Sequence, residues 1–117
     1  DGRSPSDSGQ AYTCVVAAGT LIKGNFSSTE PVRLDGSVEG DMHCKEKLVV
    51  GPEGVVIGNV KARNIIVKGR IEGDVTAEEH LHLFSTAVIT GTLQARLFSV
   101  EEGAVFDGKS QVEGVKR

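Results

Sequence analysis

Ile71-Glu72-Gly73-Asp74-Val75 is one of six copies of a single short pattern. The others are Ile22-Lys23-Gly24-Asn25-Phe26, Val38-Glu39-Gly40-Asp41-Met42, Val56-Ile57-Gly58-Asn59-Val60, Ile89-Thr90-Gly91-Thr92-Leu93 and Phe106-Asp107-Gly108-Lys109-Ser110. Their glycines, Gly24, Gly40, Gly58, Gly73, Gly91 and Gly108, follow one another at 16, 18, 15, 18 and 17 residues. A period this regular, and too short for a helical repeat, makes the chain a solenoid, with the glycines recurring for backbone geometry.

Working outward from the glycines, a second column consists of apolar pairs separated by one residue: Val16 and Ala18, Val32 and Leu34, Leu48 and Val50, Ile65 and Val67, Leu81 and Leu83, Phe98 and Val100. Such pairs are the period-two signature of a strand with one buried face. A third column is small, with Ser28, Cys44, Ala62, Ala77 and Ala95 each two residues beyond the bulky position that follows the glycine. Stacked together, the columns predict one turn of parallel β-helix per repeat. From the second residue of a pair to the next glycine motif the spacing is four residues after Ala18, Leu34 and Val67, and six after Val50, Leu83 and Val100. Two extra residues leave the inward face inward, so the irregularity is confined to one corner.

At 117 residues the chain has room for one domain. The expected organisation is a disordered tail over 1–12, a β-helix over 13–112 and a short charged tail over 113–117. The start at Asp1 rather than Met is what removal of an upstream segment would leave. With 15 Gly, four Phe, one Tyr and no Trp, the core must be built from stacked Val, Ile and Leu. A formal charge of −3 with scattered Lys and Arg argues against a nucleic-acid surface. No apolar run reaches membrane-span length and no signal peptide is visible, so the cytoplasm is the default compartment.

The chemistry-bearing residues read as structural. Cys14, just before the first repeat, and Cys44, in the small column, read as ordinary thiols packing as small apolar groups. His80 and His82 flank Leu81 and share an outward face, but the neighbouring turns offer Asn64, Ile66, Leu97 and Ser99, which do not complete a metal site. Glu39, Glu72 and Asp107 share an outward column interrupted by Lys23, Ile57 and Thr90, so no two carboxylates adjoin as paired acid and base work requires. Asn25, Asp41, Asn59, Asp74, Thr92 and Lys109 form a polar column beside a sharp bend. No nucleophile elbow or phosphate loop is present. An acyltransferase-type left-handed β-helix would need an apolar residue every six positions in strict 18-residue turns, and this chain has neither. No catalytic residue, cofactor or metal ligand is therefore assigned, and the chain is not expected to be an enzyme.

The repeated apolar-x-Gly-[Asn/Asp]-apolar motif, as in Ile22 to Phe26, Val38 to Met42 and Ile71 to Val75, resembles the bactofilins, polymer-forming bacterial cytoskeletal proteins. The resemblance covers about Val16 to Val112. It implies an all-β fold, a right-handed parallel β-helix of about six turns with a roughly triangular cross-section and short disordered termini. It also implies end-to-end assembly into filaments without nucleotide, membrane attachment through a short N-terminal apolar segment, and recruitment of cell-wall or morphogenetic proteins. Here residues 1–10 are polar and only Ala11 to Val16 are mildly apolar. No capping helix is readable at either end, so the terminal turns expose apolar surface and strand edges. Candidate joint residues are Val16, Ile22 and Phe26 in the N-terminal turn and Phe98, Val100 and Phe106 in the C-terminal turn, where the resemblance places aromatic side chains that join subunits. The expected partner is the chain itself, with membrane-associated or cell-wall-related proteins recruited to it, and with no nucleic acid. The alternative reading is a non-polymeric β-helix adaptor that binds a partner protein through its flank.

Overall fold

An apolar-x-apolar stretch bounded by turn residues buries one face only, and the chain satisfies that constraint by coiling its short strands around a common core. The computed structural model describes the backbone of residues 14–116, with side chains through residue 110. Its strands are β1 (Cys14–Val16), β2 (Leu21–Lys23), β3 (Phe26–Ser28), β4 (Val32–Leu34), β5 (Ser37–Glu39), β6 (Met42–Cys44), β7 (Lys47–Val50), β8 (Val55–Ile57), β9 (Val60–Val67), β10 (Arg70–Glu72), β11 (Val75–Leu83), β12 (Val88–Val100) and β13 (Val105–Lys116). Every ladder between them is parallel.

The ladders define three faces. The first runs β1, β4, β7 and then the second halves of β9, β11 and β12; the second runs β2, β5, β8, β10 and the start of β12; the third runs β3, β6 and the first halves of β9 and β11. β13 then follows β12 around the corners. Six turns result, a parallel β-solenoid. Inward side chains pile along the axis, and Leu34, Leu48, Val67, Leu81 and Ile89 are completely buried. The small column lies where the third face bends into the first, and Cys44, Ala62 and Ala77 are buried there.

Two boundaries differ from the sequence expectation. In the first turn the inward pair is Cys14 and Val16, which pair with Val32 and Leu34. Val16 and Ala18 were expected, but Ala18 is exposed in the corner that follows. That corner is therefore six residues long, and it closes with a Thr20 N–H to Ala17 carbonyl bond of 3.1 Å. The other long corners close in the same way, Gly54 onto Gly51 at 2.8 Å, Ala87 onto Phe84 at 2.9 Å and Ala104 onto Glu101 at 3.2 Å. Short corners nest on long ones, since a β-carbon on Gly36 would sit 2.6 Å from the carbonyls of Ala17 and Thr20. The second difference is at the C-terminus, where β13 stays paired with β12 through Lys116, so the ladder includes Gly114, Val115 and Lys116, which the sequence places in a tail. The expected tail at 1–12 lies outside the described residues.

The bend after each second-face strand explains its glycine. Gly73 has φ +142°, a region that L side chains avoid, and a β-carbon there would fall onto the carbonyl of Gly58 in the preceding turn. Each turn lies so close to the last at this bend that no side chain fits between them.

Candidate functional site: the open ends and outer flanks of the rod

Strand pairing is saturated in the middle of the rod and incomplete at its ends. Among the described residues β1, β2 and β3 each pair on one side only, with β4, β5 and β6. Among the described residues β13 pairs with β12 alone. No described residue pairs with the outer side of these strands, the condition that favours addition of another chain.

Apolar surface is open at the same places. The half-buried apolar side chains packed against the core are Cys14, Ile22, Phe26, Phe98, Val100, Ala104 and Phe106, all in the first or last turns. The sequence singled out five of these. It missed Cys14, because the first corner was read two residues short, and Ala104, which is small and sits in a turn. Val16, grouped with the N-terminal candidates, is already buried at 6% exposure as part of the core, paired with Leu34 of the next turn. Outward on the N-terminal turn, Val15 and Leu21 are more than half exposed. At the first glycine, Gly24, a β-carbon would meet nothing among the described residues.

Along the flanks, charge is arranged to avoid repulsion at the strand spacing of ~4.8 Å. In the register Lys23, Glu39, Ile57, Glu72, Thr90, Asp107, each carboxylate is separated from the next by an uncharged residue. In the adjacent column Asp41 accepts from the Asn59 backbone N–H at 3.3 Å and the Asn59 side-chain oxygen accepts from the Asp74 N–H at 3.4 Å. This polar column thus serves the backbone at the bend. Arg63 stands between Glu79 at 2.7 Å and Glu46 at 3.8 Å. Its hydrogen bond to Glu79, then the charges of Glu79 and Glu46, raise the guanidinium further above its ordinary range.

His80 and His82 face outward as expected, beside Asn64 and Ile66 on one side and Leu97 and Ser99 on the other. Both are half-buried rather than freely solvated: His80 Nε2 lies 2.7 Å from Ser99 Oγ and His82 Nε2 lies 3.4 Å from a Glu101 oxygen. No group of three or more His, Cys, Asp or Glu side chains among the described residues could hold a metal ion. Cys14 and Cys44 are free thiols, and burial, followed by the nearby Cys14 sulfur, pushes the Cys44 thiol up to about 11. A thiol so poised is a packing group, not a nucleophile. Among the described residues no helix is long and apolar enough to cross a membrane.

A parallel β-solenoid with an aliphatic core, and with no metal cluster or catalytic constellation among its described residues, defines a class of structural rods. The family model described as bactofilin, polymer-forming cytoskeletal, matches residues 14–111. The chain belongs to the bactofilin family, whose members are structural cytoskeletal proteins. Bactofilin BacP of Myxococcus xanthus is 37% identical over 62 residues, which make up 53% of this chain and 26% of that protein, so the chain matches about a quarter of that relative's length. Among solved structures, the cytoskeletal bactofilin BacA, determined by solid-state NMR, has a TM-score of 0.76 at 31% identity, over 84% of this chain and 93% of that one. The crystal structure of a point mutant of bactofilin from Thermus thermophilus has a TM-score of 0.66 at 27% identity, over 88% of this chain and 96% of that one.

Proposed function

We propose that this chain is a cytoskeletal building block that joins end to end, without nucleotide, into filaments. Filaments of this kind lie in the cytoplasm or against the inner face of the cell membrane and act as a scaffold for cell-shape or envelope proteins. The chain is a structural protein, not an enzyme. The observation that supports this reading is the coincidence, at both ends of the rod, of one-sided strand ladders with half-buried apolar side chains. Docking one end on another buries Ile22 and Phe26, or Phe98, Val100 and Phe106, and continues the ladder across the joint. The joint residues contribute twice, through apolar area removed from water and through backbone hydrogen bonds that only another chain can complete.

The test is Phe106→Arg. Phe106 is inward and half-buried in the last turn, so an arginine places a charge where apolar contact is needed and leaves the middle turns intact. Electron microscopy and sedimentation, without nucleotide, are expected to show filaments for the wild type and a small, folded, β-rich species for the variant. Normal filaments from the variant would refute a joint through this turn. A wild type that stays monomeric at high concentration would transfer the function to the adaptor reading.

A further inference from the structure

The first face carries a feature that the assembly reading does not use. Its outward side chains stand in columns two residues apart: Lys47, Asn64, His80 and Leu97 in one, and Arg33, Val49, Ile66, His82 and Ser99 in the next. Between these columns runs a shallow groove of about 340 Å³, lined by Lys47, Asn64, Ile65, Ile66, His80 and His82. Because both columns follow the stacking direction, the groove follows the rod axis. Its apolar side is formed by Ile65 and Ile66, with Val49, the ladder neighbour of Ile66, buried beside it at 3% exposure. Beyond it, the His82 and Phe84 rings lie 4.7 Å apart, and Lys68 Nζ sits 4.8 Å over the Phe84 ring.

Charge separates this flank from the second face and from the corner that precedes it, while the third face carries Lys61 and no carboxylate in its strands. The chain is formally −3 overall. On the second face Glu39, Glu72 and Asp107 outnumber Lys23 and Arg70, and at the corner before the first face Glu30, Glu46, Glu78 and Glu79 outnumber Lys45, Arg63 and Arg96. The first face reverses the balance, with Arg33, Lys47 and Lys68 against Asp35 and Glu101. Arg33 is tied to Asp35 at 3.0 Å. Lys47 and Lys68 have no carboxylate within ion-pair distance among the described residues, and they lie on opposite sides of Ile66. An apolar strip with a lysine on each side, left unneutralised on an acidic protein, is complementary to an acidic ligand with apolar side chains.

We infer that this groove docks an extended acidic segment of a partner protein, with an apolar side chain against Ile66 and carboxylates at Lys47 and Lys68. Two lysines are too few to hold a nucleic-acid backbone, and the apolar floor has no use for one. A second copy of the chain fits less well, because several of its carboxylates are engaged within their own flanks, Glu46 and Glu79 by Arg63, Glu78 by Lys61 and Glu72 by Arg70. The groove lies on the side of the rod, so it is open whether or not the ends are joined, and a filament presents it once per subunit. The inference deepens the scaffold part of the proposed function and does not depend on filament formation.

The probe is a short fluorescein-labelled peptide of repeated Glu-Leu-Asp triplets, with a Lys-Leu-Lys peptide for comparison, titrated by anisotropy into the wild type and into Phe106→Arg. The acidic peptide is expected to bind both chains saturably, and more weakly as salt rises. The double variant Lys47→Glu, Lys68→Glu should weaken it at least about tenfold, as reversal of two contact charges does, and Ile66→Glu should do the same. Reversal of Lys61 on the third face and of Lys109 at the bend that leads into it should leave affinity unchanged, and amide shifts on titration should centre on Ile66, His80 and His82. Absence of binding, equal binding of the basic peptide, or equal loss from the third-face reversal would overturn the inference. Concentration-dependent lateral dimers of Phe106→Arg that vanish on Lys47 and Lys68 reversal would also overturn it, by making a second copy the occupant. Because Phe106→Arg is included, failure of the filament reading and failure of the groove give different results.

Discussion

Gly73→Ala and Gly24→Ala make the same chemical change at two copies of one motif, and the structure predicts different losses. Both glycines have positive φ, +142° at Gly73 and +118° at Gly24, so alanine at either carries backbone strain of about 1–3 kcal/mol. Alanine also restricts the unfolded chain, which returns about 0.4–1 kcal/mol in each case. The sites part in their surroundings. Among the described residues the new methyl at Gly24 meets nothing, whereas at Gly73 it lands on the Gly58 carbonyl, a backbone group that cannot rotate away. Overpacking of this kind adds about 1–3 kcal/mol or more. The expected losses are therefore about 1–2 kcal/mol at Gly24 and about 3–5 kcal/mol at Gly73, against a typical domain stability of about 5–15 kcal/mol. Denaturant midpoints measured in the Phe106→Arg background keep assembly from contributing to apparent stability. Glu72→Val, on the outward residue beside Gly73, should change little. Equal losses at Gly24 and Gly73 would show that φ alone explains the glycine column and that close approach of the turns plays no part.

Val67 is completely buried between Val50 and Leu83, so Val67→Asp places an unpaired charge in a dry stack and should abolish the β-rich circular dichroism signal; a soluble variant with unchanged melting would refute its inward assignment. The Cys44 thiol, raised from 9.0 to about 11 chiefly by burial, holds its proton more tightly folded than unfolded. Its contribution to stability is therefore complete below pH 9 and declines as pH rises from there through 11. Stability curves of the wild type and Cys44→Ala should converge as pH rises through that window, and curves that stay parallel would show that the thiol titrates alike in both states.

Much of this protein was legible in its residues because a solenoid repeats its physics. Side-chain direction has period two along a strand, so pairs such as Ile65 and Val67 declare an inward face without reference to any distant contact. The six glycines, sampled over the whole chain, mark the bend where turns approach most closely. The alignment of His80 with Asn64 and Leu97, and of Glu39 with Ile57, follows from the repeat once its register is known. Register at the first turn did not follow. Val16 belongs to two possible apolar pairs, and only its pairing with Leu34 shows that Cys14 points inward and Ala18 lies in a corner. A terminal turn has a neighbour on one side alone, so its sequence is constrained by half as many contacts. The course of β13 past residue 112 was hidden for a related reason: Glu113 to Lys116 look like a charged tail, yet Gly114, Val115 and Lys116 pair with β12 through the backbone, and backbone bonds carry no sequence signature. The groove beside Ile66 needed three dimensions altogether. Lys47, Ile66 and His80 come from three successive turns, and their proximity arises only when coiling brings those turns to the strand spacing.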